Sequence, residues 1–123
     1  MKIDSAEFVI SAAAPAQFPH SVLPEVAFAG KSNVGKSSVI NCLLQRKKLV
    51  KTSAMPGKTQ MINYFVINGA FHVVDLPGYG FAKAPKSIQS GWARLVEGYI
   101  LSRARLTGLV LIEMGVTATP RRV

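Results

Sequence analysis

The feature that most constrains the fold is the stretch Gly-Lys-Ser-Asn-Val-Gly-Lys-Ser, which runs from Gly30 to Ser37. The short apolar run Glu25 to Gly30 enters it and is typical of a buried strand. From Ser37 onward, apolar residues recur at helical spacing. A strand, Gly-x-x-x-x-Gly-Lys-Ser and a helix in that order form the P-loop pattern. An ordinary glycine-rich turn is the alternative, but it would not require these flanking elements.

Each residue type in this stretch suits a chain of phosphates. Glycines let the backbone curl closely around an anion, so that its N–H groups become donors. The start of the following helix adds unpaired N–H groups and the positive end of its dipole. Lys36 would reach the β- and γ-phosphates, and the Ser37 hydroxyl would ligate Mg²⁺. The stretch therefore predicts a site for a nucleotide with magnesium.

A second motif, Asp75-Leu76-Pro77-Gly78, directly follows an apolar strand-like run. The pattern Asp-x-x-Gly is weak alone, and its position after a strand that follows a P-loop gives it meaning. Asp75 would hold Mg²⁺ through water, as a Walker-B aspartate does. The N–H of Gly78 would sense the γ-phosphate. The alternative for Asp75 is a side chain that caps a turn or helix.

The polar segment Lys51 to Gln60, which contains a Pro-Gly pair, predicts a loop after the first helix. A threonine hydroxyl there would complete the Mg²⁺ shell while the γ-phosphate is present and release it after hydrolysis. Thr59 is the candidate, although several Ser and Thr residues share the loop and its position alone does not single it out.

The other apolar runs predict an α/β domain. Asn68-Gly69 between two strand-like runs predicts a β-hairpin. A helical stripe predicts one long amphipathic helix, formed by Ile88, Trp92, Leu95, Val96, Tyr99 and Ile100. The predicted elements are strands Glu7–Ser11, Glu25–Gly30, Met61–Ile67, Ala70–Leu76 and Gly108–Ile112, a helix from Ser37, and a helix over Ser87–Leu106.

The charge of the chain points to a polyanionic partner. Fifteen Lys and Arg face six Asp and Glu in 123 residues, which gives a formal net charge of +9. Five of the basic residues lie between Arg46 and Lys58. Nucleic acid, most simply RNA, is the partner that such a balance favours. A solvated basic surface without a specific partner is the alternative.

The single cysteine, Cys42, lies among apolar neighbours, so we expect a small core residue in a reducing, cytoplasmic setting. No apolar run approaches the ~18 residues of a membrane span. Asp4 and Glu7 precede the first apolar run where a signal peptide would carry positive charge, so we expect no signal peptide. The sequence carries no indication of an oligomeric state.

Three segments together resemble the EngB family of bacterial ribosome-assembly GTPases: Leu23 to Leu44, Thr52 to Phe65 and Val73 to Lys86. The likeness runs from about Glu7 to Ile112. It implies a Ras-like P-loop NTPase fold, with a mostly parallel sheet that contains one antiparallel hairpin strand. It also implies binding of GTP and GDP with Mg²⁺, GTP hydrolysis coupled to assembly of the large ribosomal subunit and its rRNA, and a requirement in normal cell division and septation.

The resemblance assigns roles to individual residues. Gly57 to Met61 would form the first switch, and Lys36, Thr59, Gly78 and Asn33 would serve catalysis. Asn33 would help bind K⁺, and a side chain that only stabilises the loop is the alternative. Tyr79 stands where many Ras-like proteins have the glutamine that orients water. Ser37, Thr59 and Asp75 would hold the metal. The implied nucleotide-binding residues are Gly30, Lys31, Ser32, Asn33, Val34, Gly35, Lys36, Ser37, Ser38, Gly57, Lys58, Thr59, Gln60, Met61, Asp75, Leu76, Pro77 and Gly78.

The sequence departs from the family after Ile112, where the motifs that recognise guanine are missing. We therefore expect three regions: an N-terminal strand and loop at 1–24, a partial G domain at 25–112, and an unrelated tail at 113–123. The sheet should be incomplete at its C-terminal edge, which leaves the strand Gly108–Ile112 exposed and prone to aggregation.

Three interpretations follow from this departure. The first is a GTPase impaired by the loss of guanine recognition, weakly stable as a truncated chain. The second is a catalytically weak or inactive remnant that binds RNA or phosphates without specificity. A nucleotide kinase is the third, and the Asp75-Leu76-Pro77-Gly78 block and the Thr59 loop argue against it.

Overall fold

The computed structural model describes residues 2–31, 35–50, 61–78, 86–102 and 106–112. These residues form two α-helices and five strands, with one turn of 3₁₀-helix at Pro15–Gln17. The elements in chain order are β1 (Ala6–Ala12), β2 (Glu25–Gly30), α1 (Lys36–Leu43), β3 (Ile62–Ile67), β4 (Phe71–Asp75), α2 (Lys86–Ser102) and β5 (Leu106–Ile112).

The strands form a single sheet in the order β1-β3-β4-β2-β5. β2 pairs in parallel with both β4 and β5, whereas β3 is antiparallel to both β1 and β4. Four strands consequently point the same way and only β3 is reversed. The predicted α/β fold, a mostly parallel sheet with one antiparallel hairpin strand, is confirmed.

The hairpin between β3 and β4 turns at Asn68 and Gly69, as predicted. Both residues have positive φ angles, 54° and 60°, and the N–H of Ala70 donates to the carbonyl of Ile67 at 2.8 Å, which closes a turn around them. The Asn68 side chain also holds the N-terminal segment. Its Oδ1 accepts hydrogen bonds from the backbone N–H groups of Asp4 and Ser5 at 2.7 and 2.9 Å, and its Nδ2 donates to the Lys2 carbonyl at 2.7 Å.

The two helices cover opposite faces of the sheet. Successive strand residues alternate between two buried clusters, as the period of a strand requires. The first cluster joins Ala27, Tyr64 and Val74 to the α2 residues Leu95 and Tyr99. The second joins Phe28, Phe65 and Val73 to Ile40 of α1 and to Leu44, the residue at the C-cap of that helix.

The phase of α1 corrects the prediction for Cys42, which is exposed rather than part of the core. Ile40 and Leu44 are buried against the sheet. Because each helical residue advances about 100°, Cys42 lies roughly 200° from Ile40, on the solvent side. Leu43, from the same predicted apolar set, borders the buried line and is 58% exposed.

The buried side chain of Asn41 attaches the chain after α1 to the helix. Its amide donates to the carbonyl of Val50 and accepts from the N–H of Val50, both at 2.8 Å. This two-way bond satisfies a buried polar side chain and fixes the path of residues 46–50.

Helix α2 confirms the core of the predicted stripe, since Leu95, Val96 and Tyr99 are buried. Ile100, predicted on that stripe, is 42% exposed and lies at its edge. The helix ends at Ser102 instead of Leu106, and Leu106 already begins β5. Among the described residues, no helix has both the length and the apolar character needed to cross a membrane.

The predicted exposure of the strand Gly108–Ile112 is confirmed within the described part of the chain. β5 lies at one end of the strand order, and its residues Leu109, Val110 and Leu111 are 52%, 40% and 55% exposed. Several other predictions concern residues outside the described ranges: Ser32 to Val34, the loop Lys51 to Gln60 with Thr59, Tyr79, and the tail beyond Ile112.

Candidate functional site

The predicted site lies at the carboxyl edge of the parallel strands. β2 ends at Gly30 and its neighbour β4 ends at Asp75, with Phe28 and Asp75 as partners in the register. The N–H of Leu76 donates to the carbonyl of Phe28 at 3.0 Å, which extends the pairing one residue beyond β4. Ligands of open α/β sheets bind at this edge. The two predicted motifs, far apart in sequence, therefore meet where a ligand would bind.

The N-terminus of α1 presents backbone donors at this edge. Gly35, its N-cap, has φ 85° and ψ 22°, and no side chain caps the helix. The first intrahelical bond runs from the N–H of Val39 to the carbonyl of Gly35 at 3.1 Å. Hence the N–H groups of Lys36, Ser37 and Ser38 have no acceptor within the helix. Donors of this kind, at the positive end of a helix dipole, bind anions.

Lys36 and Asp75 form an ion pair that joins the two motifs. The Lys36 ammonium donates a hydrogen bond to Oδ1 of Asp75, and the two side chains are 12% and 6% exposed. Burial raises the pKa of the Asp75 carboxyl, against the opposing effects of the Lys36 charge and of hydrogen bonds from Lys36 and Asn63. The charges of Lys36 and Asp75 thus compensate each other where both side chains are largely shielded from water.

A line of polar side chains extends from this ion pair across the sheet. Asn63 is the partner of Asp75 in the β3–β4 register and hydrogen-bonds its carboxylate. Ser11 of β1 is in turn the partner of Asn63, and its hydroxyl donates to Oδ1 of Asn63 at 2.5 Å. We call Ser11, Asn63, Asp75 and Lys36 the polar line. It connects an outer strand of the sheet to the first residue of α1.

The second motif has another contact at its far end. The indole N–H of Trp92, in α2, donates to the carbonyl of Pro77 at 2.7 Å. Pro77 is buried and Trp92 is half-buried against the first core cluster. A side chain from the opposite face of the sheet therefore contacts the segment between Asp75 and Gly78.

The structure brings the described part of the predicted site together. Gly30, Leu76 and Pro77 are buried, Ser37 and Gly78 are half-buried, and Lys31, Gly35, Ser38 and Met61 are exposed. The other predicted site residues lie outside the described ranges: Ser32, Asn33, Val34, Gly57, Lys58, Thr59 and Gln60.

Sequence reasoning missed two residues that contact the predicted site, Trp92 and Asn63, and a third, Ser11, that contacts Asn63. Trp92 was predicted to pack but not to donate a hydrogen bond, and Ser11 and Asn63 were predicted only as strand residues. One signal was present for Asn63, since asparagine is disfavoured in strands and here interrupts the apolar run Met61 to Ile67. Its partner, however, depends on strand register, which the sequence does not display.

The donor set suits a hard divalent cation. Asp75 supplies a carboxylate and Ser37 a hydroxyl, and Mg²⁺ prefers oxygen ligands of this kind together with water and phosphate oxygens. The negative charge of Asp75 is buried and is compensated by Lys36. If Lys36 turned to a phosphate instead, a cation would be required beside Asp75. The residues present therefore fit Mg²⁺ beside a bound phosphate chain.

Comparison with known proteins agrees with this geometry. The family model described as 50S ribosome-binding GTPase matches residues 25–119. A probable GTP-binding protein EngB from Desulfosudis oleivorans is 58% identical over 121 residues, which are 98% of this chain and 61% of the relative. Its counterpart from Geobacter metallireducens is 57% identical over 112 residues, covering 91% of this chain and 55% of the relative.

A solved structure supports the same assignment. The crystal structure of a probable GTP-binding protein EngB superposes with a TM-score of 0.58 at 32% identity, over 71% of this chain and 47% of that one. The chain spans between 55% and 61% of the length of the two relatives named above. From the matched model, the shared motifs and the superposed fold, the chain belongs to the 50S ribosome-binding GTPase family, as an EngB-type member.

Proposed function

We propose that this chain binds the phosphates of GTP and GDP together with Mg²⁺. Phosphates would accept hydrogen bonds from the N–H groups of Lys36, Ser37 and Ser38, while Ser37 and Asp75 hold the cation. The observation that carries the proposal is the ion pair between Lys36 and Asp75 at the carboxyl edge of β4. Each partner is a charge that the proposed ligand would also engage.

The ion pair makes the two ligands interdependent. A phosphate chain draws the Lys36 ammonium toward itself, which leaves the carboxylate of Asp75 buried without its counter-charge. Breaking a buried ion pair by removing one partner costs about 3–5 kcal/mol. Mg²⁺ held by Ser37 and Asp75 would supply the positive charge that Asp75 then lacks and would offset that cost. The proposal therefore requires that nucleotide binds more tightly with Mg²⁺ than without it.

Titration of the purified chain with fluorescent GDP and GTP, in Mg²⁺ and in EDTA, tests the proposal. Lys36→Ala should lower affinity at least tenfold, because it removes the charge that meets the β- and γ-phosphates. Lys47→Ala is a matched control, since Lys47 is an exposed lysine just beyond α1 and its loss changes the net charge equally. Equal binding by the wild type and Lys36→Ala, or no effect of Mg²⁺ in the wild type, would refute the proposal.

The use of GTP in ribosome assembly is the finer part of the proposal. The name of the matched family supports a large-subunit or rRNA partner, as does the formal charge of +9. We also propose a cytoplasmic location, GTP hydrolysis linked to normal cell division, and a K⁺ site at Asn33. Thr59 would complete the magnesium shell. The alternative, a weak or inactive remnant that binds RNA without specificity, rests on the same charge.

Phosphate-release and RNA-binding assays separate these two possibilities. Hydrolysis of GTP that depends on Lys36 and rises in K⁺ relative to Na⁺ would favour the GTPase. RNA binding that is unaffected by nucleotide and falls steeply with salt would favour the remnant, because phosphate contacts release counterions. Competition by ATP measures how far this chain distinguishes guanine from adenine.

A further inference from the structure

Trp92 is the single tryptophan of the chain and makes a directional contact to the second motif. Its indole N–H is a donor without acceptor capacity. It contacts the carbonyl of Pro77 at 2.7 Å, within the ordinary range of a hydrogen bond. The carbonyl belongs to a buried residue, so an alternative partner from solvent is not readily available.

The hydrogen bond from Trp92 fixes the orientation of the whole peptide group between Pro77 and Gly78. The Pro77 carbonyl and the Gly78 N–H belong to one peptide plane, and no described peptide bond is cis. In a trans peptide the carbonyl and the N–H point in opposite directions. Because the carbonyl is directed at Trp92, the N–H of Gly78 is directed away from α2.

The face of the sheet away from α2 is the one on which Lys36 of the P-loop lies. The two helices lie on opposite faces of the sheet, as their separate core clusters show. Lys36, the first residue of α1, contacts Asp75 on the face opposite to α2. The Gly78 N–H is thus aimed toward the side on which the P-loop lysine lies.

We propose that Trp92 is a positioning residue that favours the triphosphate over the diphosphate, by holding the Pro77–Gly78 peptide with its N–H directed at the γ-phosphate. This inference rests on the proposed function, since it needs a bound nucleotide. Rotation of the peptide away from this orientation would break the indole bond and leave a buried carbonyl unsatisfied. The hydrogen bond from Trp92 therefore raises affinity for the triphosphate, whose γ-phosphate accepts from the Gly78 N–H, and leaves affinity for the diphosphate unchanged.

The experiment compares GDP with a non-hydrolysable triphosphate analogue, in Mg²⁺, for the wild type and Trp92→Phe. Phenylalanine keeps an aromatic ring at this half-buried position and removes the donor together with the five-membered ring of the indole. We expect affinity for the analogue to fall about tenfold, because a hydrogen bond to a buried group is lost. Affinity for GDP should stay within about twofold. Tyr99→Phe is the matched control, since it removes a buried aromatic donor from the same helix, one that bonds Glu25 at 2.8 Å.

The ratio of the two affinities is the decisive readout, because loss of stability alone would weaken both ligands. An unchanged ratio in folded Trp92→Phe, or an equal change of the ratio in Tyr99→Phe, would overturn the inference. If Trp92→Phe does not fold, wild-type fluorescence decides: indole emission should differ between the two complexes, and identical emission overturns the inference. Failure of the proposed function is recognised separately, as a wild type that binds neither ligand.

Discussion

Asn63→Ala tests whether the polar line stabilises the fold. Asn63 forms a hydrogen bond with the carboxylate of Asp75. Its Oδ1 accepts a hydrogen bond from the hydroxyl of Ser11 at an oxygen-to-oxygen distance of 2.5 Å. A hydrogen bond to a charged group contributes about 1.5–3 kcal/mol and a neutral one about 1 kcal/mol. Asn63 is half-buried, so water replaces part of what is lost. We expect the free energy of unfolding to fall by about 2–3 kcal/mol, a large share of the 5–15 kcal/mol typical of a domain.

Urea denaturation followed by circular dichroism measures the change, and Ser11→Ala provides the matched control. Ser11→Ala removes only the neutral bond, so it should cost about 1 kcal/mol. In the double variant the serine has no partner left to lose, so the cost should equal that of Asn63→Ala alone. The two single effects should therefore be non-additive by about 1 kcal/mol. Strict additivity, or a cost below about 0.5 kcal/mol for Asn63→Ala, would refute the reasoning.

Two further predictions concern the edges of the sheet. Asn68→Ala should lower the free energy of unfolding by about 1–3 kcal/mol and speed amide exchange at Asp4 and Ser5, because it removes their acceptor and because alanine adopts φ 54° less readily than asparagine does. Unchanged exchange would contradict this. Val110→Lys should reduce self-association in light scattering, since a charge on an exposed edge strand opposes pairing between chains. Val22→Lys, at a valine that is 74% exposed outside the sheet, should leave self-association unchanged.

The elements of this fold were predictable where their signals are local. The turn at Asn68-Gly69 depends on two adjacent residues that adopt positive φ, so its chemistry is visible in the sequence. The order of strand, glycine-rich loop and helix is equally local. Element ends were less predictable. The second helix stops at Ser102 because the chain must reach the sheet again, and residue spacing does not contain that requirement.

Whether a helix residue is buried or exposed was predictable only where its angle around the helix axis was taken into account. Cys42 has apolar neighbours in sequence, and that was the reason to expect it in the core. Burial follows angle around the helix rather than neighbourhood, however, and the buried line passes through Ile40 and Leu44. Counting the angle from those two residues would have placed the cysteine on the outside.

The site was predicted in its residues but not in its contacts. The glycine spacing and the aspartate at a strand end indicated Lys36 and Asp75 separately. Their ion pair, the hydrogen bond from Asn63 and the bond from Trp92 all join residues that are distant in sequence. Such contacts depend on strand order and register, and a local pattern cannot supply either one.

The segment Asp75 to Gly78 is held by different contacts at its two ends, and this difference suits the proposed function. Its first residue lies in β4, where the strand ladder and the side chains of Asn63 and Lys36 all oppose movement. Its far end lies beyond the strand, where the indole N–H of Trp92 donates to the carbonyl of Pro77. We expect a change in the ligand to act first on the end that lies outside the strand ladder. We therefore expect the loss of a γ-phosphate to act on the Gly78 peptide while Asp75 keeps its place beside the cation.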